Sequence, residues 1–147
     1  MATLRGFPQI FAGDELMCVS RDRSQGHGGL RVEFPLDWQS DPVKTDLHDC
    51  FATLFNWRKT STAVQQGRTV HFLSRDNTYA YFRIADGEIV FVYLNNNPEP
   101  RTIPWGDYAE VAGELREGRD VLSGETVDFS APIEIGPRTS LVVEFKI

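Results

Sequence analysis

Residues 78–96 read "TYAYFRIADGEIVFVYLNN". Two runs of β-branched and aromatic residues flank Asp86-Gly87, a dipeptide that tolerates the positive φ of a tight hairpin. Alternation puts Tyr79, Tyr81 and Arg83 on one face of the first run and Ala80, Phe82 and Ile84 on the other. The stretch therefore predicts two antiparallel strands. Working outward, "RTVHFLS" (68–74) is another short strand, and further runs fall at 107–112, 119–122, 131–135 and 139–146. Asn95-Asn96-Asn97-Pro98 and Gly136-Pro137 mark loops between them. Short strands at this spacing predict a small β-sandwich or barrel.

Upstream of Gly67 the pattern changes. Residues 7–17 form an apolar run between Gly6-Phe7-Pro8 and Gly13-Asp14, the pattern of a strand buried on both faces in a parallel sheet. The loop that follows, "SRDRSQGHGGLRVEFPLDWQSDP" (20–42), is too long and too polar for a mere connection. Then "TDLHDCFATLFNWRK" (45–59) places Leu47, Cys50, Phe51, Leu54 and Arg58 on one stripe, widened by Phe55, which predicts an amphipathic helix. Thr45 or Asp46 would cap its start, and Arg58 and Lys59 suit the dipole at its end. Trp57 is expected in the core or as an interface anchor. The expected fold is mainly β: a C-terminal antiparallel β-sandwich (63–147) preceded by a single strand-loop-helix unit (1–62). A lone parallel strand leaves its ladder groups unpaired, so the first unit looks cut from a larger sheet.

Composition narrows the function. The 147 residues, 41% of them apolar, suffice for one core. A net charge of −6 with no dense Lys/Arg run argues against nucleic acid. No run approaches the roughly 18 apolar residues of a membrane helix, so no membrane partner is expected. Arg5, Asp14 and Glu15 occupy the region where a signal peptide needs its apolar stretch. The two cysteines, Cys18 and Cys50, and the scattered His27, His48 and His71 show no metal-ligand spacing, so neither a metal site nor another cofactor is expected.

Four motifs resemble, in order, the end of an α-amylase-family glycoside hydrolase of the cyclomaltodextrinase and neopullulanase type. "RGFPQIFAGDEL" resembles the eighth strand of the (β/α)8 barrel, with Gly6, Pro8, Gly13 and Glu15 filling a Gly-x-Pro-x-x-x-x-Gly-x-Glu pattern. "HGGLRVEFPLDW" resembles the following loop, "LFNWRK" the eighth helix, and "DVLSGETVDF" with "IEIGPRTSLVVEF" the closing strands of the C-terminal sandwich. The resemblance implies a parent enzyme that cleaves starch-derived oligosaccharides, cyclodextrins or pullulan with retention. It also implies that the remainder of the barrel is this chain's partner. Whether such a parent is periplasmic or secreted stays open.

The family's nucleophile, acid and stabilising carboxylate come from earlier strands, and no position here matches them, so no catalytic residue is expected. A retaining glycosidase also needs two carboxyls about 5 Å apart facing one bond. Adjacent Asp14 and Glu15 would point to opposite faces of an extended strand, and a structural role in the turn is expected for both. The family's loop after the eighth strand carries an Asp and, four residues later, an Arg that contact sugar hydroxyls; His27 and Arg31 hold those places. Both can hydrogen-bond hydroxyls, and a surface salt bridge for Arg31 is the competing expectation. From the residues alone comes a rival reading, a carbohydrate-binding sandwich in which Tyr79, Tyr81, Trp38 or Trp105 would stack on sugar if exposed and coplanar. Uncovered barrel surfaces at 5–17 and 46–59 would drive self-association, or docking of the strand on the sandwich.

Overall fold

The computed structural model describes residues 1–19 and 23–147. The strands are β1 (Arg68–His71), β2 (Thr78–Ala85), β3 (Glu88–Asn95), β4 (Arg101–Thr102), β5 (Glu117–Asp120), β6 (Thr126–Asp128), β7 (Glu134–Ile135) and β8 (Ser140–Lys146). Six form one antiparallel sheet in the order β1-β2-β3-β8-β5-β6, and β4 pairs with β7 in a separate ribbon. The hairpin at 78–96 supplies two interior strands of the sheet. Its register runs from Thr78↔Asn95 to Ala85↔Glu88, and Gly87 takes the positive φ, 75°, that closes the turn.

Alternation sorts this hairpin into two cores. On one face Phe82, Phe91 and Val143 lie in a row across three strands, each fully buried. The β4·β7 ribbon and the helical segment at 105–112 cover them with Ile103, Tyr108, Ala112 and Ile135. Burying a Phe side chain is worth up to about 3 kcal/mol, so this row anchors the domain. On the other face Tyr81, Val92 and Val142 pack beneath Trp57, Ala63 and Val64. The sandwich thus has a small second layer on one side and two helices on the other. Gly118 in β5 leaves room for the core side chains of neighbouring β8, because an added Cβ would sit 2.4 Å from Val143 Cγ1.

Several elements differ from the expectation. Residues 107–112 are helical, with the 3-10 turn Trp105–Tyr108 running into α3 (Ala109–Ala112). Tyr108 and Ala112 face the core while Glu110 is exposed, which suits i,i+4 spacing and not period two. The run 119–122 is strand only to Asp120, whose carboxylate then accepts from Leu122 N, Ser123 N and Ser123 Oγ and turns the chain. Within 131–135 only Glu134–Ile135 is strand.

None of the described residues among the first forty joins a ladder. The apolar run 7–17 pairs with no strand among the described residues, and its second half tightens into a 3-10 turn at Asp14–Leu16. A strand meant for a parallel sheet needs neighbours on both sides, and this sheet, antiparallel throughout, has no place for it. Residues 20–22 of the long loop lie outside the described residues; 23–30 form 3-10 turns broken at Gly26. Helix α1 spans Pro42–Arg58 and is capped by Asp41, whose Oδ1 accepts from Val43 N at 3.0 Å. The cap therefore precedes the expected Thr45 or Asp46, since Pro42 is fit for the first helical position and Asp41 for the cap. Ser61 caps the short α2 (Thr62–Gln66).

Candidate functional site

A concavity of about 810 Å³ is built by the two limbs of the N-terminal segment, with Cys18 and Val19 on one and Arg31, Phe34 and Leu36 on the other. Arg31 N donates to Gly28 O at 3.1 Å. Its side chain is exposed, and no carboxylate pairs with it among the described residues. Among the described residues the guanidinium therefore forms no salt bridge at the cleft. His27 is exposed but does not line the cleft, so the pair expected from the family spacing is not assembled here.

Asp14 and Glu15 serve the turn they occupy. Phe11 N donates to Asp14 Oδ2 at 3.2 Å, and Gly13 N donates to Glu15 Oε2 at 3.1 Å. Each carboxylate satisfies a backbone N–H that the turn would otherwise orphan. Among the described residues no group of three or more His, Cys, Asp or Glu side chains gathers as a metal site would require.

The four candidate stacking rings separate. Tyr81 is 3% exposed, and its hydroxyl meets Thr3 Oγ1 at 2.6 Å; burial pushes its phenol upward. Trp105 lies 3.9 Å, ring to ring, from Phe129 and belongs to the large aromatic core. Trp38 is half-buried at 4.4 Å from the His48 ring. Tyr79 is also half-buried, beside the near-parallel His71 ring, and is tilted 38° from Tyr81. Tyr79 and Tyr81 are thus not coplanar, Tyr81 is too buried to meet a sugar, and Trp105, half-buried, keeps part of its ring at a concavity with Phe129 and Pro132. Tyr81 shares its strand face with Tyr79, but Thr3 covers it.

The residues that organise this end of the molecule are charged and buried. Glu88 accepts from Ser61 Oγ at 2.7 Å and from Ala63 N at 3.0 Å, at the N-terminus of α2. Arg83, 1% exposed, donates Nε to Ala63 O and Nη2 to Val64 O near its other end, and Nη1 to Thr69 Oγ1. Opposite charges at opposite helix ends match the dipole and the free backbone groups there. Burial and the nearby Arg58 both push the Arg83 guanidinium downward. Trp57 Nε1 donates to Glu144 Oε1 at 3.1 Å, while Arg119 and Lys146 each reach that carboxylate at 2.9 Å. Burial alone would raise Glu144, but hydrogen bonds from Lys146, Arg119 and Trp57 outweigh it and hold it at about 2. Arg58 donates to the carbonyls of Ala2, Leu4 and Gly6 at 2.6, 2.9 and 2.6 Å, clamping the first residues onto the helix.

Sequence reasoning placed Arg58 at a helix end for its charge and missed the clamp. The signal for Glu144 was available: in "SLVVEFK" it alternates with Val142 on an inward face, and a carboxylate there must have partners. Arg83 carried the same signal beside Tyr81.

A family defined as the cyclo-malto-dextrinase C-terminal domain matches residues 69–144, just over half of the chain. Solved structures share the fold. A cyclomaltodextrin glucanotransferase with a three-domain ABC distribution, CldA, superposes with a TM-score of 0.73 and 17% identity over 99% of this chain and 30% of its own. An α-amylase from Geobacillus thermoleovorans, solved with acarbose, gives 0.72 at 17% identity over 97% of this chain and 30% of its own. The cyclic α-maltosyl-(1→6)-maltose hydrolase of Arthrobacter globiformis gives 0.68 at 22% over 98% and 28%. The chain spans less than a third of the length of each of these structures. The matched segment begins in β1 and ends in β8, so it takes in the whole sheet just described. This chain belongs to the cyclomaltodextrinase C-terminal domain family, the C-terminal part of α-amylase-family glycosidases.

Proposed function

We propose that this chain is the C-terminal piece of an α-glucan hydrolase, acting on starch-derived oligosaccharides, cyclodextrins or pullulan by a retaining double displacement. Its sandwich, 63–147, supports and shields a catalytic barrel, to which residues 1–62 contribute the last strand-loop-helix unit. The chain holds no catalytic residue of its own. One observation carries this reading: the apolar groove between Ile10 and the Phe51/Phe55 side of α1 is open, and Phe7, Phe11 and Val19 of the same N-terminal segment are exposed. Such a surface is the default mark of a missing neighbour, and a barrel is the neighbour the family supplies.

Arg31, exposed at its cleft, would donate to sugar hydroxyls once the barrel completes that cleft. His27 would join it only if the loop closes. The second reading, a sandwich that itself holds glycan, retains Tyr79 among the sandwich rings.

The test is a reducing-sugar assay of the chain with maltoheptaose, β-cyclodextrin and pullulan. No new reducing ends are expected. Turnover that co-purifies with the folded chain and disappears with Asp14→Asn or Glu15→Gln would overturn the proposal.

A further inference from the structure

We propose that the end of the sheet around Tyr79 is a surface site for a neutral α-glucan oligosaccharide, separate from the Arg31 cleft. The α-glucan identity rests on the function proposed above; the site itself rests on its geometry. Tyr79, Leu94 and Ser140 stand side by side across three strands, on the face that α1 and α2 cover further along. They line a concavity of about 530 Å³ together with Asn96, Arg138 and Thr139.

The floor of this concavity is rigid. Buried Asn95 donates to Glu99 O and Gly136 O at 2.9 and 2.8 Å, while its Oδ1 accepts from both nitrogens of buried Asn97. Asn97 Nδ2 reaches Asp76 O at 2.8 Å, and Arg138 N donates to Asn97 O at 2.9 Å. Two asparagines thus tie the 74–77 and 136–139 loops together, which fixes the residues those loops present. The ties hold non-glycine residues in the left-handed region: Asp76 at 48°, Asn77 at 54° and Arg138 at 51°. An Arg is the least suited of these, and such conformations persist only where surroundings over-determine them, often at ligand sites.

The presented groups suit a polyol. Arg138 Nη1 donates to Asn96 Oδ1 at 2.6 Å, which aims the amide and leaves Asn96 Nδ2 without a hydrogen-bond partner among the described residues. Ser140 Oγ is equally free there, and no carboxylate lines the concavity. One aromatic ring, free amide and hydroxyl groups and one guanidinium form the combination of apolar face and placed donors that small-ligand sites use. A cation would find no counter-charge. An apolar protein segment would find only Leu94 and the tyrosine ring.

The experiment is ¹H–¹⁵N NMR titration of the full chain with maltoheptaose, with cellohexaose in parallel. The expected result is millimolar binding of maltoheptaose, with shifts concentrated at Asn96, Arg138 and Ser140. Tyr79→Ala and Asn96→Ala should each weaken it at least about tenfold. Asn96 is exposed, so Asn96→Ala keeps the melting temperature and remains informative if Tyr79→Ala unfolds. No shift with either sugar, or shifts confined to residues 27–36, overturns the site and leaves the hydrolase reading to its own assay. Cellohexaose bound at Asn96 in place of maltoheptaose overturns the α-glucan assignment and counts against the hydrolase reading as well.

Discussion

Replacing Glu144 by Gln should remove a stabilisation that depends on pH in a defined direction. The carboxylate is 8% exposed, and three donors hold it at about 2 against an ordinary value of 4.5. That gap corresponds to about 3 kcal/mol at neutral pH. Arg119 and Lys146 are 48% and 62% exposed, so water screens their share, and about 2 kcal/mol is the working magnitude. Because the folded value is depressed, the stabilisation is fully present above pH 4.5 and is lost as pH falls toward about 2. Gln keeps the shape and can still accept from Trp57, so the variant isolates the charge. Urea unfolding of both proteins across the acid range provides the assay. The account expects Glu144→Gln to be less stable by about 2 kcal/mol at neutral pH, with the two curves converging near pH 2. Coincident curves would mean that an uncharged amide does all that the carboxylate does, and a constant offset that the loss does not come from its charge; either overturns this assignment.

Arg58→Met should free the first six residues by deleting three hydrogen bonds to carbonyls; limited proteolysis should cut before Phe7 at least about tenfold faster, while the melting curve of the sandwich changes little. Gly118→Ala drives a methyl to 2.4 Å from Val143 Cγ1 and 2.8 Å from Phe145 Cε1 and should cost about 2 kcal/mol in chemical unfolding; an unchanged midpoint would mean that β5 and β8 sit further apart. Sedimentation equilibrium should show concentration-dependent self-association through 5–17 and 46–59, relieved by Phe7→Ser with Phe51→Glu; a monomer at every concentration contradicts this.

The hairpin at 78–96 was legible because its alternation, its aromatic content and its Asp-Gly turn all point one way, and the structure places it residue for residue. Helix α1 was legible for the same reason, apart from a cap displaced to Asp41. The segment 107–112 misled because Tyr108 and Ala112 satisfy either period, and only the exposure of Glu110 separates them. The apolar run 7–17 reads as a parallel strand because its composition is written for neighbours on both sides, yet a ladder is a property of pairs and no partner strand lies within the described residues. At the candidate sites, sequence supplied Arg31 and Tyr79 but could not foresee that Thr3 would lie over Tyr81 or that Phe129 would stack on Trp105. Those contacts join residues far apart in the chain. The Asn95/Asn97 floor read as a turn for a related reason, since asparagine signals a loop whether or not its amide is buried.

In the function proposed above the sandwich supports itself, while the first forty residues are completed by a barrel. Native-state hydrogen exchange on the whole chain separates the two parts. The account predicts slowest exchange at Val90–Tyr93 and Val142–Phe145, through global unfolding, with residues 7–19 exchanging orders of magnitude faster. Equal protection of 7–17 and of β3 would contradict it, because that run would then be part of the same cooperative core.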